Sequence, residues 1–212
     1  MTLRLRLAIS TSLLTCLLAS GACSGAGDAA PASLTLRIGV PVPAMATPGA
    51  GIPNLVDSLT SESLVLNSSD GRPTERLAKS WSWNQERTVL HVELQPGVFF
   101  HDGTPLTPEL VAQELRRDVA NENDLALSSV TRIDTWANGV DLVLPSPDAF
   151  LLEDLGLTAI KRPGNSSVAT GPFKIVSGGQ TIRLDAFDQY YKGKPSIRSI
   201  TITSYPTQNL HC

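Results

Sequence analysis

Cysteine is scarce in this chain: three in 212 residues, at Cys16, Cys23 and Cys212. Three such positions cannot make a disulfide framework, so any stability comes from packing. Aromatic residues make up only 5%. Basic residues are not in excess, with 17 Lys and Arg against 20 Asp and Glu. A net charge of −3 excludes the basic footprint of a nucleic-acid binder. The three histidines, His91, His101 and His211, have no metal-site spacing and no cysteine partners. There is no Walker motif and therefore no ATPase signature. No Gly-x-Ser-x-Gly elbow surrounds Ser80 or Ser82. The only adjacent His–carboxylate pair, His101-Asp102, precedes a glycine and reads as a turn in which Asp caps its own backbone. The sequence therefore points away from catalysis, and no cofactor or metal is expected.

What is present begins with a targeting segment. Arg4 and Arg6 give a positive start, and residues 7–19 are mostly apolar but short for a membrane span. Ser20, Gly21 and Ala22 are small, as a signal peptidase requires, and Cys23 follows. This resembles a bacterial lipoprotein signal, which implies that Cys23 becomes the lipidated first residue. It departs from that pattern in having Ser20 three places before the cysteine, where a leucine is usual. An ordinary cleaved secretory signal is the other reading. Residues 24–33, SGAGDAAPAS, form a small-residue tether.

Periodicity then sets out the elements. Leu34, Leu36, Ile38 and Val40 alternate as a first strand. Pro41, Pro43, Pro48, Gly49 and Gly51 make an irregular loop. A short helix is expected to about Glu62, then a strand to Leu66. Trp81 and Trp83 share a strand face, read as core packing rather than as an aromatic shelf for a ligand. Thr88 to Leu94 alternates as a half-buried strand, and Gln95-Pro96-Gly97 is a turn whose glycine takes φ > 0. Thr107 caps a helix that opens on Pro108 and carries Leu110, Val111, Leu115 and Val119 on one side with Leu106. Asn138-Gly139 signals a hairpin between 133–136 and 140–144. Residues 148–157 read as a helix with Phe150, Leu151 and Leu155 inward. Strands are expected at Phe173 to Val176, across Ile182, Leu184 and Ala186, and across Ile197, Ile200 and Ile202.

Several of these stretches carry a resemblance. Leu77-Ala78-Lys79-Ser80-Trp81, Leu94-Gln95-Pro96-Gly97-Val98 and Phe100-His101-Asp102-Gly103-Thr104-Pro105-Leu106-Thr107 occur in order. So do Ala169-Thr170-Gly171-Pro172-Phe173 and Asp188-Gln189-Tyr190-Tyr191-Lys192-Gly193-Lys194-Pro195. Together they resemble the extracellular solute-binding proteins of ABC importers, in the dipeptide, oligopeptide and nickel class. The likeness runs from about Leu34 to Tyr205.

The resemblance implies an α/β fold of the periplasmic-binding-protein type II kind, represented by its N-terminal lobe with an inserted mixed α+β subdomain and without the second lobe. The implied parts are a signal peptide over 1–22, a tether over 23–33, a main lobe from 34–60 and 165–206, an insert over 61–164 and a tail at 207–212. The segment after the first strand runs along the ligand cleft in that family, which makes Met45 a candidate contact. Trp81 and Thr170 are the other two candidates. The implied function is capture of oligopeptides or a similar solute for transport, with ABC permease subunits and a lipid-anchored membrane as partners, no nucleic acid, and a monomeric state outside the cytoplasm. The alternatives are a membrane-anchored interaction lipoprotein without solute binding, and a fragment without function. The lipoprotein reading is checked by replacing the acylated residue: Cys23→Ala should move the protein from the membrane pellet to the soluble fraction, and retention in the pellet would refute it.

Overall fold

The structure is a computed structural model that describes residues 34–41, 51–121 and 127–205. Cys23, Met45, the tether and the tail lie outside the described residues. Among the described residues no helix is long and apolar enough to cross a membrane.

Four strands form the main sheet: β1 (Leu34–Pro41), β11 (Phe173–Ser177), β12 (Thr181–Ala186) and β13 (Ile197–Tyr205), in the order β1-β13-β12-β11. β1 is parallel to β13, while β12 is antiparallel to both of its neighbours. The period-2 pattern therefore sorts the side chains into two faces. Leu36, Ile200 and Leu184 are register partners on one face, as are Ile38, Ile202 and Ile182. The opposite face carries Thr35, Ser199 and Asp185 in one rung and Arg37, Thr201 and Arg183 in the next. Helix α1 (Ile52–Thr60) covers the apolar face through Ile52, Leu55, Val56 and Leu59.

A second apolar cluster is larger. It includes β5 (Ala78–Trp83), β6 (Val89–Leu94), β7 (Arg132–Trp136) and β8 (Gly139–Val143), antiparallel in the order β5-β6-β8-β7. Leu90, Val92, Val140, Leu142 and Ile133 face inward onto helix α2 (Pro108–Val119). Thr107 accepts a hydrogen bond from the Leu110 N–H as the expected cap, with Pro108 in the first turn. Val111, Ala112 and Leu115 are fully buried. Trp81 and Trp83 pack partly buried against this cluster, which agrees with the core reading.

Smaller elements complete the chain. The hairpin of β3 (Val65–Asn67) and β4 (Pro73–Glu75) packs against helix α3 (Leu151–Leu157). A three-stranded sheet joins β2 (Glu62–Ser63), β9 (Ala159–Arg162) and β10 (Asn165–Ala169) in the order β10-β9-β2.

Three expectations shift. Helix α1 ends at Thr60 rather than Glu62, because Ser61 turns extended and Glu62 pairs with Ile160 of β9. The hairpin loop is Ala137-Asn138, since Gly139 already pairs with Trp136. Burial of Val140 and Leu142 sets that register and overrides the Asn-Gly signal. Phe150 points outward at 69% exposure, while Leu151 and Leu155 are buried as expected. The Asp148 carboxylate accepts from the Phe150 N–H, so Phe150 sits at the cap and misses the helical stripe.

Glu114 of α2 was not foreseen in the core. Its side chain is fully buried and pairs with Arg117 at 2.7 Å. Burial raises its pKa despite that partner.

Gly97 occupies φ 71, as the turn requires, with open space around its Cα. The cost of a side chain there is therefore conformational. Gly97→Val should lower unfolding stability by about 1 kcal/mol or more in a urea titration. An unchanged midpoint would remove the positive-φ turn from the account.

Candidate functional site

Two family landmarks that are far apart in sequence meet at one point. The His101 N–H donates to the Ala169 carbonyl at 2.9 Å. The ring Nε2–H of His101 donates to the Gly171 carbonyl at 3.0 Å, and Nδ1 accepts from the Ala169 N–H at 3.5 Å. Those partners fix a neutral tautomer. Burial, with Lys174 nearby, holds the His101 pKa below its ordinary value. Asp102 accepts from the Thr104 N–H at 2.9 Å and pairs with Arg162 at 3.1 Å. The His–Asp pair is thus occupied in shaping a turn.

Gly171 also ties this point to α1. Its N–H donates to the Thr60 carbonyl at 2.9 Å, and a Cβ on it would lie 2.5 Å from the Thr60 carbonyl carbon. Thr170, beside it, is buried with no hydrogen-bond partner for its hydroxyl among the described residues.

The strands β1, β13 and β11 run in one direction, and open α/β sheets bind ligands beyond the carboxyl ends of such strands. A cavity of about 190 Å³ is walled by α1, β10 and the β11–β12 side of the main sheet. Ile52, Val56, Ile175 and Ile182 give it an apolar floor, and Thr60, Ser61, Ser166 and Ser167 supply hydroxyls. Asp57 stands at its edge, bonded to Lys161 at 2.7 Å and to the Ser61 hydroxyl at 3.1 Å. Such a wall can pack apolar groups and exchange hydrogen bonds with a polar backbone. Thr170 adjoins this cavity through Ala169 but does not line it. Trp81 pairs with Val92 in β5 and lies elsewhere. The structure therefore does not bring Trp81 and Thr170 into one site. The serines of β10 were missed by sequence reasoning, which gave no strand at 165–169.

Behind the cavity stands Glu62, with 1% of its side chain exposed. Its Oε1 accepts from the Tyr190 hydroxyl at 2.9 Å and lies 3.3 Å from Arg76 Nε. Tyr191 donates to the Arg76 carbonyl at 2.9 Å. Burial, then the Glu62 charge, raises both phenol pKa values.

A lobe of this topology is part of a periplasmic-binding-protein type II fold, as the solved structures below show. A model of the bacterial extracellular solute-binding proteins, family 5, matches residues 72–210, and the chain belongs to that family. The nickel-binding protein NikA of Staphylococcus aureus is 30% identical over 155 residues, covering 68% of this chain and 31% of that protein. Its structure with Ni(L-His)2 superposes with a TM-score of 0.68 at 24% identity, over 82% of this chain and 39% of that one. The glutathione-binding protein GsiB of Pectobacterium atrosepticum is 28% identical over 145 residues, covering 59% of this chain and 28% of that protein. The oligopeptide-binding protein AppA of Bacillus subtilis, in complex with a nonapeptide, gives a TM-score of 0.68 at 20% identity, over 81% and 40%. This chain thus spans about a third of the length of its curated relatives. These relatives are solute-binding proteins rather than enzymes, and the family is extracellular.

Glu62→Gln would leave Arg76 without its carboxylate in a mostly buried site. The loss should be about 2 kcal/mol of unfolding stability, read by urea denaturation. A change below about 0.5 kcal/mol would show that Glu62 is dispensable to the fold.

Proposed function

We propose that this chain forms one wall of a clamp that captures short peptides or chemically similar solutes outside the cytoplasm for an ABC importer. The observation that carries this reading is the family match over residues 72–210. The cavity beside α1 supports it, because an apolar floor edged by hydroxyls suits amide-bearing ligands of varied side chain. Among the described residues no group of three or more His, Cys, Asp or Glu stands close enough to hold a metal ion.

In this reading residues 34–60 and 165–206 are the main lobe and 61–164 an insert within it. Cys23 carries the lipid that tethers the monomer beside its permease. Capture proceeds by closure of two lobes around the solute. The edge of β1 favours a working unit with a further lobe: Leu34 and Leu36 are 58% and 41% exposed there, on a strand that has one edge unpaired among the described residues.

A single wall covers too little of a ligand to hold it tightly. Calorimetry of this chain with tripeptides should therefore give no binding tighter than about 1 mM. A micromolar dissociation constant would overturn the one-wall account and make the chain a complete binding unit.

A further inference from the structure

A second, larger cavity plays no part in that reading. It measures about 670 Å³ and lies on the polar face of the main sheet, away from α1. Its walls come from the His101-Asp102-Gly103 turn, the starts of β11 and β13, and the turn after β12. The volume falls in the range of small-molecule sites.

Its charges are unequal in a specific way. Asp185 is matched by Arg183 at 3.0 Å. Asp102 is matched by Arg162 at 3.1 Å, from outside the cavity. Asp188 holds two cations, Arg198 at 2.5 Å and Lys194 at 3.1 Å. Every carboxylate in the lining is thus already neutralised. Lys174 lies across from Asp185 in the β11–β12 register but has no ion pair among the described residues, and its charge, after burial, disfavours protonation of the His101 ring. Arg37 lies on the same face in the rung of Arg183, across Thr201. The lining itself holds three cations and three carboxylates, and Arg162, Lys194 and Arg37 beside it tip the balance to positive, on a chain whose net charge is −3. Gln189 and Ser199 add neutral donors to the walls.

We propose that this cavity is a binding site for a small oxyanion, a phosphate- or carboxylate-bearing molecule, with Lys174 as its principal ligand and Arg183 and Arg198 as flanking donors. Lys174 and the guanidinium groups would each give a charge-assisted hydrogen bond to the anion. Filling the site would offset the Lys174 charge felt by His101.

The experiment follows the His101 ring proton by NMR in the full chain, titrated with inorganic phosphate and with citrate at constant ionic strength set by sodium chloride. Saturable shifts and an upward move of the His101 pKa on anion addition are expected. Lys174→Ala should weaken binding about tenfold or more, and Lys174→Arg should retain most of it. Asp57→Asn, at the other cavity, should leave anion binding unchanged, which separates this site from the proposed solute cleft. Phosphatidylglycerol vesicles, with phosphatidylcholine as control, form a second arm. Pelleting that depends on Lys174, without binding of the free anions, assigns the same site to a lipid headgroup. Shifts linear in anion concentration, or equal in Lys174→Ala, mean nonspecific screening only and overturn the site.

Discussion

The peptide unit at Gly171 is held from two sides. Its N–H is taken by Thr60 at the end of α1, and its carbonyl by the His101 ring in the turn before α2. Space for a side chain is absent, because a Cβ would meet the Thr60 backbone. Three segments separated by some forty to seventy residues are thereby fixed at one point, and Pro172 then launches β11. The orientation of α1 on the main sheet and of the larger core beside it both follow from this junction. The neutral, half-buried histidine suits the task, since one nitrogen must donate and the other accept.

Glu62 supports the same junction from another direction. It opens β2, whose partner β9 carries Lys161 toward Asp57 and Arg162 toward Asp102. One short strand thus ties α1 and the His101 turn together through two ion pairs of opposite outlook. Tyr190 and Tyr191, which follow β12, reach back to the same carboxylate and to Arg76. A buried charge is costly unless paired, and this one is used to join segments rather than to bind a ligand.

The legible parts of the sequence were those governed by local rules. Thr107-Pro108, Gln95-Pro96-Gly97 and Asp102-Gly103 behave as their chemistry dictates, and the alternating strands of both sheets lie where the period placed them. The ordered motifs also identified the family. Illegible features depended on partners far along the chain. Nothing local marks Glu62 for burial between Ser61 and Ser63, and Glu114 is a charge set next to the apolar stripe of α2. The β9–β10 hairpin has weak strand residues, Asn165-Ser166-Ser167, and exists because β9 is claimed by β2. Phe150 misled because an apolar residue beside a helix is assumed to join its stripe. Of the site candidates within the described residues, Thr170 lies next to the lining of the cavity beside α1 and Trp81 packs against the larger core.

The parallel pairing of β1 with β13 has a consequence for how the molecule comes to be. Leu34 finds its partner at Ile197, so the sheet closes over nearly the whole described chain. The hairpins β5–β6 and β7–β8, by contrast, pair neighbours in sequence, and β6 reaches β8 across about fifty residues, far fewer than separate β1 from β13. Long loops must be closed before non-local contacts give any return, so such pairings form late. During synthesis the larger core can assemble while β1 waits, unpaired and apolar, for the last strand to emerge. The leading strand β1 thus stays open until β13 has followed, longer than any strand of the larger core.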